Sequence, residues 1–256
     1  MLLVIERDLR RFIQFKFIII LRTIWFAAQV AFFGLIASRM VVPELADIYF
    51  EFYVAGVVIM MLYSASVFIG YDIFEEAEHG VFEYLLSLPV SRKELVLGRS
   101  IGGGIRSFIL VGPIIAITLF IIGLANPLNL LVAFSALFLF AFGISGMSIT
   151  IAVTLKSGDR FDIFMGVLSA LIVRLSTAMY PQAFVQDANQ AYAAFSQFNP
   201  VTYASDLFRW GTGIERYLTM SPMPLAAIIG IVIFFFIFTF VGVTFYEKRL
   251  EGGGWQ

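Results

Sequence analysis

The sequence predicts an all-α integral membrane protein: six transmembrane helices form one membrane domain over residues 1–256, with an interfacial helix at the N-terminus and short helices in the two longest connections. The composition supports this first, because hydrophobic residues make up 60% and charged residues 14% of the chain, against roughly 45–50% and about 25% in soluble proteins. A soluble protein of 256 residues could not bury this much apolar surface. The second observation is that six apolar segments are long enough to cross about 30 Å of hydrocarbon as helices.

The six predicted spans cover residues 17–38, 52–72, 107–124, 130–155, 161–180 and 224–246. The third is short and contains Pro113, which a span tolerates when neighbouring helices satisfy the freed carbonyl. The fourth is long enough to tilt or to extend past the interface. No repeat relates the first three spans to the last three, which weakens the case for an inverted-repeat transporter.

The basic residues predict which side of the membrane each connection occupies. Twelve of the 17 Lys and Arg residues flank the spans on the side of the N-terminus, three lie on the other side, and two fall inside predicted spans. Cytoplasmic connections are enriched in Lys and Arg. We therefore expect both termini in the cytoplasm, in a multi-pass protein of the plasma or inner membrane.

Three segments outside the spans are predicted to be more than linkers. Near the N-terminus, apolar residues at helical spacing predict an amphipathic helix in the cytoplasmic interface; they are Leu2, Ile5, Leu9, Phe12 and Ile13. The longest cytoplasmic connection covers residues 73–106. The longest outer connection, residues 181–223, is rich in Phe, Tyr and Ala, so we expect it to form short re-entrant or interfacial helices with internally bonded backbones.

The residue inventory limits the functional classes. A net charge of -1 provides no basic field for nucleic acid, and the absence of cysteine excludes thiolate chemistry. The single histidine, His79, has a glutamate four residues away on each side, but a solvated residue is favoured over a metal site. No acidic residue lies within a span interior, so an ion-coupled transporter or channel and a membrane-embedded enzyme are weaker alternatives. We predict no catalytic residue and no metal ligand.

The longest cytoplasmic connection carries the most informative pattern, EEAEHGVFEYLLSLPVSRKEL at residues 75–95. Phe82, Leu85 and Leu86 fall at i, i+3 and i+4, which gives a short helix one apolar face beside an acidic one. Pro89 ends this helix because the residue before a proline is pushed out of the α region. From the pattern alone, a helix that docks into a partner's groove and a solvated connector are about equally supported.

This segment resembles the cytoplasmic loop of the type-2 ABC transporter permease family. That loop contains, in this order, acidic residues, a Gly, a Glu-Leu-Leu-type helix, a Ser-x-Pro-Val-Ser-Arg stretch and another Gly. The matching positions are Glu75, Glu78, Gly80, Glu83, Leu85, Leu86, Ser87, Pro89, Val90, Ser91, Arg92, Leu95 and Gly98. A second segment, FNPVTYA at residues 198–204, resembles the family's Asn-Pro-Leu-Thr-Tyr-Ala segment and is followed by Asp206 and Arg209. With the predicted spans, the resemblance covers nearly the whole chain. It departs at residues 175–181, where LSTAMYP lacks the family's frequent Ser-Gly, so the substrate stays open.

The resemblance implies the permease subunit of an ATP-driven exporter, working as a homodimer or heterodimer of permeases with separate ABC ATPase subunits. ATP and Mg would be bound by the ATPase, with no cofactor on this chain. No Gly precedes any Lys, so the phosphate-binding Gly-Lys-Ser/Thr motif is absent. The helix at residues 75–88 would be the coupling helix that contacts the ATPase, through Glu75, Glu78, Gly80, Phe82, Glu83, Leu85, Leu86, Pro89 and Arg92. A hydrophobic or amphipathic substrate (a drug, a lipid or a lipid-linked glycan) would leave along the subunit interface, lined by the first, second and fifth spans.

A few positions inside the spans have both a structural and a functional interpretation. Arg22 lies near the start of the first span and is expected to snorkel to the cytoplasmic headgroups. Arg174 lies deeper, where a central Arg costs about 2.5–3.5 kcal/mol. Outward snorkelling is favoured over a position in the dimer cavity, where Arg174 would meet an anionic substrate group or an acidic partner. Gln29 lies among small residues and is favoured as a helix–helix contact over a substrate contact. Gly98 and residues 102–104 predict close helix packing rather than a phosphate loop.

Overall fold

The computed structural model describes residues 2–13, 16–34, 36, 46–87, 91–123, 126–182, 189–214 and 224–251, and the regular structure in this part of the chain is entirely helical. The helices are α1 (Leu2–Ile13), α2 (Lys16–Gln29, continued by a π-helical turn at Val30–Gly34), α3 (Ala46–Val67), α4 (Ile69–Glu78), α5 (Val81–Ser87), α6 (Arg92–Ile122), α7 (Pro127–Leu155), α8 (Gly158–Arg174), α9 (Gln190–Gln197), α10 (Pro200–Thr212) and α11 (Pro224–Glu251). The all-α prediction is therefore confirmed.

Four helical stretches among the described residues are long and apolar enough to cross a membrane: Tyr49–Glu78, Arg92–Ile122, Pro127–Leu155 and Leu225–Gly242. A shorter apolar helix covers Ile19–Phe32. This supports a multi-pass membrane protein, while the count of six spans stays a prediction. The end of the first predicted span lies outside the described residues.

Side-chain caps explain where many of the helices begin. Ser91, Asn126, Ser157, Asn189 and Asn199 each precede a helix and accept a hydrogen bond from a backbone N–H in its first turn. Ser and Asn are favoured at this position because the first N–H groups of a helix have no partner within it. Helices α7 and α10 also begin with proline, whose missing N–H costs nothing there.

Helix α7 lies at the centre of the bundle, packed against α3, α6, α10 and α11. Its approach to α6 requires glycine. A Cβ atom on Gly103 would lie 2.8 Å from Ser145 Oγ, and one on Gly104 would lie 3.4 Å from the backbone of Phe142. The prediction that this glycine run serves helix packing is confirmed.

Helix α8 ends at Arg174, six residues before the predicted end of the fifth span. The hydroxyl of Ser176 donates to the carbonyl of Val173 (2.6 Å) and accepts from the N–H of Ala178 (3.2 Å). Such local side-chain bonds offer the backbone an alternative to the helical ladder. Arg174 therefore lies in the last turn of its helix, and its side chain is exposed.

The bundle has two chemically different ends. One carries α1, α4, α5 and the starts of α6 and α8, with many arginines; we call it the basic end. The other, the far end, carries the end of α8 together with α9 and α10. Helix α10 is almost fully buried against α3, α7 and α11, so the predicted outer connection contains short helices, one of which packs inside the bundle.

Candidate functional site

Helix α4 continues α3 into the basic end after a break at Phe68. The carbonyls of Ser66 and Val67, just before the break, accept hydrogen bonds from the hydroxyls of Ser145 (3.3 Å) and Ser148 (2.6 Å) on α7. These hydrogen bonds tie the junction of α3 and α4 to α7.

Ion pairs join α4 to α1 and α6. Glu76 on α4 is 4% exposed and binds Arg99 of α6, which is 1% exposed. Its other carboxylate oxygen accepts from Arg7 of α1 at 3.0 Å. One turn earlier, Asp72 pairs with Arg106. Because the Glu76–Arg99 pair is excluded from water, removing either partner would leave a buried charge with less compensation.

Aromatic contacts join α4 to α8. The hydroxyl of Tyr71 donates to Asp162 at 2.7 Å. Phe161, which is fully buried, meets the ring of Tyr71 at 4.9 Å between centroids and that of Phe74 at 5.2 Å. Helix α4 is thus bonded to α1, α6 and α8 over about one and a half turns.

Helix α5 follows α4 after a tight turn at the edge of the basic end. Gly80 has φ +68, a left-handed conformation that favours glycine. Leu85 faces inward and is 5% exposed, whereas Val81 and Tyr84, three residues apart, are 38% and 64% exposed. A short helix is therefore anchored on one side and presents an apolar and aromatic side outward.

A capping box begins α6 at the end of the same connection. The hydroxyl and the N–H of Ser91 donate to the carboxylate of Glu94 at 2.8 and 3.2 Å, and the N–H of Glu94 donates back to the Ser91 hydroxyl at 3.3 Å. These bonds to the charged form lower the pKa of Glu94 from its usual value, the side-chain bond contributing most. The box fixes where the connection re-enters the bundle.

The predicted coupling residues divide into several groups. Glu75 and Glu78 lie exposed at the end of α4, Gly80 forms the turn, and Leu85 anchors α5. Arg92, half-buried, is the first residue of α6. Phe82, Glu83 and Leu86 fall within α5 but their side chains lie outside the described set, as does Pro89 entirely. The structure thus divides the predicted coupling segment between two helices joined at Gly80.

The two polar residues predicted for a substrate pathway, Gln29 and Arg174, have different surroundings. Gln29 is half-buried beside an open apolar groove of about 480 Å³ lined by Trp25, Ala28 and Phe32. Arg174 lies at the far end, where its backbone carbonyl accepts from the hydroxyl of Tyr192 on α9. A substrate pathway through these two positions stays a prediction.

Sequence reasoning missed the ion-paired residues and the outward face of α5. Charges at predicted span ends were visible, but the pairing of Glu76 with Arg99 depends on how α4 and α6 cross. Tyr84 follows Val81 by three residues, so helical spacing could have identified this second face.

Fold and site together define a multi-pass helical membrane protein in which an ion-paired group of helices supports a short exposed helix at one end. The chain belongs to the ABC-2 type transporter family, whose family model matches residues 1–212. It is also similar to a candidate transport permease, ycf38, of Cyanophora paradoxa, with 26% identity over 218 residues, covering 82% of this chain and 74% of the relative. The chain is therefore a transport permease, and permeases of this family work in general with ABC ATPase partners.

Proposed function

We propose that this chain is the permease subunit of an ATP-driven exporter, with six spans and both termini in the cytoplasm. A separate ABC ATPase binds ATP and Mg and contacts the basic end. The observation that carries the proposal is the bonding of α4: ion pairs connect it to α1 and α6, and the contacts of Tyr71 and Phe74 connect it to α8. A displacement of α4 and α5 would reach all three helices.

The ATPase contact is proposed to lie on α5 and the residues around it. Val81 and Tyr84 supply an exposed apolar surface, which suits docking of a short helix into a groove. Glu75, Glu78 and Arg92 surround this surface with charge that would set its orientation. Because Leu85 is buried beneath α5, force on the outer side passes directly into the bundle.

The substrate pathway is proposed to run along an interface with a second permease, either another copy of this chain or a homologue. Helices α2 and α8 expose apolar residues along much of their length: Phe17, Ile20, Leu21, Ile24, Trp25, Ile163, Phe164, Val167 and Leu171. A groove of about 290 Å³ lies between α3 and α8 and includes Tyr63, Ser64 and Ser169. A mostly apolar surface with a few hydroxyl groups suits a hydrophobic or amphipathic substrate, such as a drug, a lipid or a lipid-linked glycan.

The ATPase contact can be tested by co-expression of the chain with its candidate ATPase. We expect Tyr84→Asp to reduce both co-purification and stimulation of ATP hydrolysis. Phe198→Asp is the matched control, because Phe198 is also an exposed aromatic residue (80%) but lies at the far end. The double variant Glu83→Lys with Leu86→Asp changes the same helix at two positions that the sequence pattern predicts to contact the ATPase. Size-exclusion profiles of each variant show whether it is still folded and inserted.

Two outcomes would contradict the proposal. If Tyr84→Asp and Phe198→Asp behave alike, α5 is not the contact. If the wild-type chain associates with no ATPase and transports alone in liposomes, an ion-coupled transporter or channel replaces the exporter, and a chemical change in the substrate would instead point to a membrane-embedded enzyme.

A further inference from the structure

A small pocket at the basic end contains two arginines. It has a volume of about 70 Å³ and lies between α1, α2, α3 and α6, where Phe12, Arg22, Ala65, Phe68 and Arg106 contribute to its lining. Since one water molecule occupies roughly 30 Å³, the pocket has room for a group larger than water. Its lining shares Phe68 with the groove between α3 and α8 and shares no residue with the groove beside Gln29 or with α5.

Each guanidinium group in the pocket rests on an aromatic ring. The Arg22 guanidinium lies 4.2 Å from the centroid of Phe68, and that of Arg106 lies 5.0 Å from the centroid of Phe12. A planar guanidinium stacked on a ring is held in place while its edge remains able to donate hydrogen bonds. The pocket therefore holds two cationic donors with restricted positions.

The charges around the pocket do not balance. Arg106 pairs with Asp72, whereas Arg22 has no ion-pair partner within the described part of the chain. The two guanidinium groups line one pocket, so their like charges repel each other, more strongly where surrounding protein and lipid lower the dielectric constant. A bound anion between them would remove this repulsion.

The position of the pocket favours a phosphate group as that anion. Arg22 lies only a few residues into the first predicted span, at the level where its side chain reaches the headgroups. Guanidinium groups bind phosphate through paired N–H donors. Apolar side chains next to the pocket, such as Leu110, suit the acyl chains attached to a lipid phosphate.

We propose that this pocket binds the phosphate group of an anionic membrane phospholipid, between the guanidinium groups of Arg22 and Arg106. The bound lipid would hold α1 and α2 against α3 and α6. Lipid binding is measured without an ATPase and without transport, so this proposal and the proposed function can fail separately.

Native mass spectrometry of the full chain in detergent, without ATPase, measures this binding. We expect adducts with phosphatidylglycerol to outnumber adducts with phosphatidylcholine. Arg22→Gln should weaken phosphatidylglycerol binding about 10- to 100-fold, as expected for a lost charge-assisted hydrogen bond, and Arg22→Lys should weaken it less. Arg160→Gln is the matched control, because Arg160 is an exposed arginine at the same end and its loss should leave binding unchanged.

A second pair of variants tests the pocket without removing an arginine. Ala65→Asp would place a carboxylate in the pocket and should displace the lipid, while the isosteric Ala65→Asn should displace it far less. Inorganic phosphate distinguishes the source of the anion: if it competes with the lipid at millimolar concentration, the pocket accepts free phosphate as well. Equal binding of the two lipids, equal effects of Arg22→Gln and Arg160→Gln, or equal effects of the Asp and Asn variants would each overturn the proposal.

Discussion

Neutralising Glu76 should be among the most damaging single changes at the basic end. Glu76→Gln keeps the size of the side chain but removes the carboxylate that pairs with Arg99 and Arg7. Breaking a buried ion pair by removing one partner costs about 3–5 kcal/mol, because the remaining charge stays buried. In a chain of this size, each kcal/mol of destabilisation lowers the thermal unfolding midpoint by about 2–4 °C. The midpoint should therefore fall by roughly 6–20 °C.

Removing the other partner of this ion pair, in Arg99→Gln, should lower the free energy of unfolding by less. After Arg99→Gln, Glu76 still has Arg7 at 3.0 Å, so its charge remains partly compensated. In the double variant, neither Glu76 nor Arg99 is left as a buried charge without the other. Its loss of unfolding free energy should therefore be smaller than the sum of the losses in the two single variants. Coupling energies between contacting residues reach about 0.5–3 kcal/mol.

The assay is unfolding of the purified chain by SDS in mixed micelles, which gives a free energy of unfolding for each variant. Glu6→Gln is the matched control, because Glu6 pairs with Arg10 at 2.6 Å on the same end but both are exposed; such an i,i+4 pair contributes about 0.3–0.5 kcal/mol. If Glu76→Gln costs no more than Glu6→Gln, or if the two variants at the buried pair are simply additive, the ion pair does not join α4 to α6 as described.

Three further predictions concern the far end, the helix crossing and the capping box. Arg209→Gln should lower the free energy of unfolding by about 1.5–3 kcal/mol per lost bond, because its buried guanidinium donates to two backbone carbonyls at 2.8 and 3.2 Å; no change in a chemical-denaturation curve would contradict this. Gly70→Ala should destabilise by about 1–3 kcal/mol, since its Cβ would lie 2.4 Å from two side chains of α7 and α8, whereas Gly112→Ala, with open space around it, should be neutral or stabilising. Ser91→Ala should remove a pH dependence of stability. In the wild type, the lowered pKa of Glu94 stabilises the fold at pH values above the unfolded pKa, and this contribution is lost as the pH falls through the folded pKa. The stabilities of wild type and variant should therefore converge in acid.

The helices themselves could largely be predicted from the sequence. Helix α7 begins three residues before its predicted start and ends at the predicted residue, because its apolar run is continuous and Asn126 with Pro127 marks its start. The end of α8 could not be predicted in the same way. Hydropathy continues past Arg174, and the helix ends there because Ser176 bonds locally, a competition that an apolar window does not register.

The candidate site was predicted less completely, since its essential pairs join residues distant in sequence. The pattern around Gly80 located the connection, and the structure then placed a turn there. The pairing of Arg7 with Glu76 spans 69 residues and depends on where α1 crosses α6. That crossing lies at Gly102, where a Cβ would approach Asp8 at 3.6 Å, so only packing decides which charges meet.

The contacts at the far end hold α8, one wall of the proposed substrate pathway. The carbonyl of Ile172 accepts from Asn199 at 2.7 Å and that of Arg174 accepts from Tyr192, so α9 and the start of α10 satisfy carbonyl groups that the last turn of α8 would otherwise leave unpaired. At the basic end, Asp162 holds the first turns of α8 to α4. Helix α8 is therefore fixed at both ends and exposed between them, and a movement of α4 would tilt it about the far-end contacts. Asn199→Asp removes the side-chain donor to Ile172 but keeps the N-cap acceptor, so it should break the contact between α8 and α10 without unwinding α10. Altered transport with an unchanged helix content would identify this contact as the pivot.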